Sequence, residues 1–127
     1  MERWGKGLNP DRDEIGYRGA PSMFIVMIGS SDSPATAETI VNLTSASLDK
    51  GHRVTVFFDA EATRLLEKKR IGEFSGLISQ GVRLLACRTS ARELGLTPRD
   101  IVEGAEMSSM GELVDLIETS DRTLFLG

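Results

Sequence analysis

Residues 23–58, MFIVMIGSSDSPATAETIVNLTSASLDKGHRVTVFF, decide the fold of this chain. The first six form an uninterrupted apolar run that ends at Gly29, which is typical of a parallel strand buried on both faces. Residues 34–50 then place apolar side chains at helical spacing, and a glycine follows them. Residues 53–58 are β-branched and aromatic, as strands are. The stretch therefore predicts a strand, a crossover helix and a second strand.

The same alternation continues to the end of the chain. Helical patterns cover residues 60–69 and 72–80, and residues 82–87 predict a third strand. The remaining predicted elements are a short helix over 91–94 capped by Thr89 or Ser90, a turn over 98–102, a short strand over 105–107, a helix capped by Ser108 or Ser109, and a strand over 122–126. Strands that alternate with helices imply an α/β fold with helices on both faces of a parallel sheet. The pattern gives no strand order.

Length and composition indicate one domain with a single core. The chain has 127 residues, 40% of them hydrophobic, with 15 Lys and Arg against 19 Asp and Glu spread along it. This interspersed and mildly acidic charge argues against a nucleic-acid partner. Residues 1–22 are rich in Gly, Pro and charge and lack an apolar period, so we predict a flexible N-terminal arm ahead of a domain over residues 23–127.

Apolar runs and cysteine content indicate the compartment. The longest apolar run, residues 23–28, is far shorter than the roughly 20 residues of a membrane-spanning helix, and the N-terminus shows no apolar signal-peptide core. A single cysteine cannot form an intrachain disulfide. We therefore expect a cytoplasmic protein with no membrane partner.

Ligands of open α/β sheets bind beyond the carboxyl ends of the strands, and the first loop there is residues 29–35. The hydroxyls of Ser30 and Ser31, the side chain of Asp32 and the backbone N–H groups at the helix start could hold an anion. The same side chains could instead serve only as helix caps, a frequent role of Ser and Asp. The loop lacks the G-x-G-x-x-G spacing, and the chain contains no phosphate-binding G-x-x-x-x-G-K-[ST] motif, so we expect no nucleotide cofactor.

The second loop follows Cys87, the last residue of the predicted third strand. If Thr89 and Ser90 open a helix there, the positive end of that helix favours a thiolate, although a lone cysteine can also be a small core side chain. The one histidine, His52, falls at the opposite edge of the sheet. Because the chain offers no Cys–His pair and no metal-ligand spacing, we predict neither a protease nor a metal site.

Five segments together resemble the DsrE/DsrF-like (TusD-like) sulfur-relay family. They are GSSD at 29–32, KGHRVTVFF at 50–58, GVRLLAC at 81–87, ARELGL at 91–96 and IVEGAEMSSMGELVDLIE at 101–118. The resemblance covers residues 23–127 and implies a three-layer α/β/α sandwich with a mainly parallel sheet of about five strands. It also implies assembly into homotrimers or hexamers.

The resemblance further implies a sulfur carrier, with Cys87 at the position of the cysteine that holds sulfur as a persulfide. On this hypothesis Ser30, Ser31, Asp32, Thr89 and Ser90 stabilise the anion, and donor and acceptor proteins supply and take the sulfur without a metal or cofactor. Whether such a carrier acts as an enzyme, a sulfurtransferase, stays open.

Three other functions remain open at the level of sequence. The first loop could bind a nucleotide or another small anion while Cys87 only packs in the core. The same cysteine could serve a thiol-dependent reductase or peroxidase, which normally needs a resolving thiol from a partner. The chain could also be a structural oligomer that associates through its apolar helix faces.

Overall fold

The computed structural model describes residues 22–70 and 73–127. The predicted arm, except for Ser22, lies outside the described residues. In the described part, five parallel strands form one sheet in the order β4-β3-β2-β1-β5. The strands are β1 (Phe24–Gly29), β2 (Arg53–Phe58), β3 (Arg83–Cys87), β4 (Glu106–Ser108) and β5 (Arg122–Leu126). The predicted α/β class and the parallel five-stranded sheet are confirmed.

Strand position in the sheet follows the apolar content of each strand. The continuous apolar runs form β1, β2 and β3 at the centre, where both faces of a strand are covered. The edges are β4, which has three residues, and β5, whose side chains are half-buried or exposed. The predicted strand at 105–107 is placed one residue later by the structure. A short, partly polar edge strand limits pairing with other chains.

In the described ranges, four α-helices connect the strands: α1 (Pro34–Asp49), α2 (Glu73–Ser79), α3 (Arg88–Glu93) and α4 (Met110–Thr119). Ser33 caps α1 by accepting the N–H of Thr36, and Pro34 occupies the first helical position. The helix ends before Gly51, which has φ of 85° and so adopts the left-handed conformation that glycine tolerates. The predicted βαβ unit is thus present, and its helix ends just before the predicted glycine.

The prediction of an α-helix over residues 60–69 is wrong. The structure forms a 3₁₀ helix at Ala60–Leu66, followed by Glu67 in an extended conformation that bridges to Ile101. Consecutive residues of this segment, Ala62 with Thr63 and Leu65 with Leu66, are buried. Tertiary packing of adjacent positions therefore overrides the α-helical periodicity. A second 3₁₀ turn spans Pro98–Asp100.

Helices cover both faces of the sheet, which gives three layers. The larger core lies against α1, α2 and the 3₁₀ helix, and includes Met27, Phe58 and Leu84. The smaller core lies on the other face, under α4; its buried members are Val26, Ile28, Phe57, Leu85, Cys87 and Leu113. No helix within the described ranges is long and apolar enough to cross a membrane.

Candidate functional site

Cys87 ends β3 at the carboxyl edge of the sheet, as the sequence predicts. Its side chain belongs to the smaller core, and only 2% of the residue is exposed. The thiol makes no hydrogen bond to another of the residues that the structure describes, and it occupies the N-cap position of α3 without capping that helix. The thiol is therefore a buried group that faces α4.

Helix α3 begins at Arg88, directly after Cys87, so the prediction that Thr89 or Ser90 caps it is wrong. Ser90 lies inside the first turn, where its hydroxyl donates to Asp59 Oδ1 at 3.0 Å and accepts the Ala60 N–H at 3.0 Å. These bonds hold the first turn of α3 against the end of β2, which explains the immediate turn into helix. The Ser90 hydroxyl is therefore committed to the β2 end, and Thr89 is exposed.

The first loop is also occupied by bonds within the protein. The backbone N–H groups of Ser30 and Ser31 both donate to the Gly127 carbonyl, at 2.9 and 2.7 Å. The Ser31 hydroxyl accepts the N–H of Ser33, and Asp32 forms an ion pair with Arg70 at 3.4 Å. The backbone N–H groups of Ser30, Ser31 and Ser33 are thus already used within the protein and are not free to hold an anion.

Strand order separates the first loop from the thiol. Because β2 lies between β1 and β3, the ends of β1 and β3 are two strand spacings apart, which is about 10 Å. The structure therefore does not bring Ser30, Ser31 and Asp32 to Cys87. They remain a separate polar loop at the same edge of the sheet.

The polar group nearest to Cys87 in the sheet register is one that sequence reasoning missed. Ser108 of β4 is the register partner of Cys87, and partners in register project from the same face. It is 2% exposed, and its hydroxyl donates to Glu112 Oε1 in the first turn of α4. Glu112 in turn accepts a bond from Arg83 Nη2 at 3.2 Å, and Arg83 makes two bonds to Glu106 at 2.8 and 3.1 Å. We call these four residues the Glu112 network.

The hydrogen bonds of the Glu112 network favour the charged forms of its two carboxylates and of Arg83. The bond from Ser108, supported by Arg83, lowers the pKa of Glu112 below its ordinary value. The bonds from Arg83 lower the pKa of Glu106 in the same way, and the two carboxylates raise the pKa of the Arg83 guanidinium. Both carboxylates are therefore ionised at neutral pH, and α4 is tied to β3 and β4 by charge-assisted bonds.

Acidification is expected to destabilise the protein through Glu106 and Glu112. Because their pKa values are lower in the folded chain than the ordinary 4.5, their stabilising contribution is present above that pH and is lost as pH falls through the folded values. Urea denaturation at a series of pH values measures this. The double variant Glu106→Gln, Glu112→Gln is expected to lose less stability below pH 4.5 than the wild type; equal slopes would contradict the assignment.

His52 lies at the amino edge of the sheet, between α1 and β2. Its Nδ1 accepts the N–H of Met23 at 3.0 Å, and burial together with Lys50 lowers the pKa of the imidazole. The histidine therefore stands at the opposite edge from Cys87 and has a structural partner. Among residues 22–70 and 73–127, no three His, Cys, Asp or Glu side chains are grouped to hold a metal ion.

A parallel sheet with helices on both faces defines the class, a small three-layer α/β protein, and its one cysteine lies at the carboxyl edge of the sheet. The sequence pattern of the DsrE/DsrF-like family matches residues 22–126, and the chain belongs to that family. An uncharacterized protein of Methanopyrus kandleri is 24% identical over 112 residues, which cover 80% of this chain and 93% of the relative.

Solved structures of low sequence identity share the fold. A protein of unknown function from Methanobacterium thermoautotrophicum superposes with a TM-score of 0.71 at 23% identity, over 80% of this chain and 97% of the other. The ychN protein of E. coli gives a TM-score of 0.73 at 14% identity, over 83% and 99% of the two chains. These likenesses support the three-layer architecture and carry no statement about activity.

Proposed function

We propose that this protein is a sulfur carrier that accepts sulfane sulfur and passes it on as a persulfide of Cys87. The observation that carries the proposal is the position of the only cysteine of the chain, at the carboxyl edge of the sheet of a DsrE/DsrF-like domain. Ligands and reacting groups of open α/β sheets lie at that edge.

The chemistry needs one thiol and two partners. The Cys87 thiolate attacks the outer sulfur of a donor persulfide; the new S–S bond forms as the donor S–S bond breaks, and the electron pair leaves on the donor thiolate. An acceptor thiolate then attacks the outer sulfur of the Cys87 persulfide. That step forms the acceptor persulfide and returns the Cys87 thiolate, so neither transfer consumes an external oxidant or reductant.

Positive charge in the helix that follows Cys87 supports approach of an anionic sulfur donor to the carboxyl edge of the sheet. Arg88 and Arg92 of α3 are exposed, and neither forms an ion pair with another residue in the described ranges. They border an open cavity of about 260 Å³, whose other lining residues are Ala91, Leu96, Thr97, Pro98 and Met107. Because Met107 packs against the larger core, this cavity lies on the opposite face of the sheet from the Cys87 thiol. Unpaired guanidinium groups raise the local concentration of anions such as polysulfide.

Several large apolar side chains are exposed on the surface of the subunit. Phe125 is 74% exposed, and Met110 and Val114 are about half exposed. Large apolar side chains left in solvent favour association, in keeping with a homotrimer or hexamer. We expect the carrier to work in the cytoplasm with donor and acceptor proteins, and sedimentation velocity measures whether the purified chain is larger than a monomer.

A load-and-transfer experiment tests the proposal. Protein loaded with polysulfide and desalted is mixed with a single-cysteine peptide, and the masses of both are followed over time. The peptide is expected to gain sulfur at the rate at which the protein loses it, because the peptide thiolate attacks the outer sulfur of the persulfide. Protein that takes up no sulfur, or that keeps its sulfur in excess peptide, would refute the carrier function.

A further inference from the structure

Sulfur transfer requires that a donor reach the Cys87 thiol, which is buried in this structure. The residue lies in the smaller core together with Leu113, the buried side chain of α4. A sulfur donor must reach the sulfur atom within bonding distance. Either α4 or the segment around β3 therefore has to move before the thiolate can attack.

At its N-terminal end, which is the end nearest to Cys87, α4 makes few apolar contacts with the sheet. In its first two turns Leu113 is buried, whereas Met110 and Val114 are about half exposed, so few apolar contacts fix that end. Ser109 caps the helix by accepting the N–H of Glu112. The remaining attachment is polar and runs from the Glu112 side chain to Ser108 on β4 and to Arg83 on β3.

We infer that Glu112 is a positioning residue that holds the first turn of α4 over Cys87 and so controls how fast reagents reach the thiol. The inference rests on the proposed function for its meaning, because it concerns access to the same cysteine. The strand register connects Glu112 with the thiol, because Ser108, which donates to Glu112, is the register partner of Cys87. Loss of the Glu112 carboxylate removes the polar bonds that attach the first turn of α4 to β3 and β4.

Alkylation of the native protein measures this access without requiring sulfur transfer. Glu112→Ala is expected to speed the reaction of Cys87 with iodoacetamide by about three- to tenfold, as loss of partly exposed charge-assisted hydrogen bonds implies. Glu112→Gln keeps an oxygen that can accept the Ser108 hydroxyl but loses the charge, so its rate is expected to lie between those of wild type and Glu112→Ala. Hydrogen exchange should accelerate in the amides of α4 and stay unchanged in α1.

Asp100→Ala is the matched control. Asp100 accepts bonds from the backbone N–H and hydroxyl of Thr97 in a capping box, so its loss also removes a carboxylate from the first turn of a short helix, away from α4. Equal alkylation rates in Glu112→Ala and wild type would overturn the inference. So would an equal acceleration in Asp100→Ala, because that result would indicate general destabilisation.

Sulfur loading of the same samples separates this inference from the proposed function. If Glu112→Ala alkylates faster but neither it nor wild type takes up sulfur from polysulfide, the carrier function fails and the role of Glu112 in access stands. If both load sulfur at one rate and alkylate at one rate, the carrier function stands and the role of Glu112 fails.

Discussion

Cys87→Ala is expected to abolish the sulfur that cyanide can release from polysulfide-treated protein. Cyanide removes the outer sulfur of a persulfide as thiocyanate and returns the thiolate, so thiocyanate counts persulfide groups. Because Cys87 is the only cysteine of the chain, no other thiol can replace it. The measurement is the colorimetric yield of thiocyanate per protein after desalting, which we expect to be stoichiometric for wild type and zero for the variant.

The Cys87→Ala variant is expected to fold like the wild type, and this can be checked. Alanine is small and apolar, and it replaces a side chain that lies in an apolar cluster without a hydrogen bond to any described residue, so the fold should be retained. Thermal unfolding of both proteins checks this. A folded Cys87→Ala variant that still yields thiocyanate at the wild-type level would show that the sulfur is bound elsewhere.

Phe57→Ala is expected to lower the free energy of unfolding by about 3–5 kcal/mol. Phe57 is fully buried at the centre of the smaller core, between its register partners Ile28 of β1 and Leu85 of β3. Removing the ring leaves a cavity under α4 that neighbouring strands cannot close, because their own side chains are fixed in the sheet. Urea denaturation of the purified variant measures the loss.

Phe125→Ala is the control for Phe57. Phe125 is two strands away from it in the same register row, beside Ile28, but is 74% exposed. Measured at a concentration at which the chain is monomeric, its replacement is expected to change the unfolding free energy by no more than about 0.5 kcal/mol. Similar losses in the two variants would contradict the packing of the smaller core described above.

Much of the fold follows from local sequence. The apolar runs of β1, β2 and β3 and the terminal strand Arg122–Leu126 stand where their patterns predict, because a strand buried on both faces needs a continuous apolar run. Strand order could not be predicted, since it depends on which strands pair in space. The 3₁₀ helix at Ala60–Leu66 escaped prediction because packing decides its type.

The candidate site was only partly predictable. A cysteine that ends an apolar strand of an α/β fold falls at the carboxyl edge, and the position of Cys87 follows from that rule. The Glu112 network could not be found from spacing, because Arg83 and Glu106 meet only through the pairing of β3 with β4. The one local signal was Ser108 four residues before Glu112 at a helix start.

The roles of the loop serines could not be decided from the sequence. Hydroxyl-bearing residues at helix starts are compatible with both helix caps and anion sites. The structure uses Ser33 as the cap of α1, gives the N–H groups of Ser30 and Ser31 to Gly127, and gives Ser90 to Asp59. Only the three-dimensional partners distinguish these uses.

The mass of the intact wild-type protein after exposure to polysulfide tests whether Cys87 carries sulfur. The protein is measured before and after treatment with a reductant, and in parallel after Cys87 has been alkylated under denaturing conditions and the chain refolded. We predict the gain of a sulfur atom that the reductant removes and that prior alkylation prevents. An unchanged mass, or a gain that persists on alkylated protein, would contradict the account.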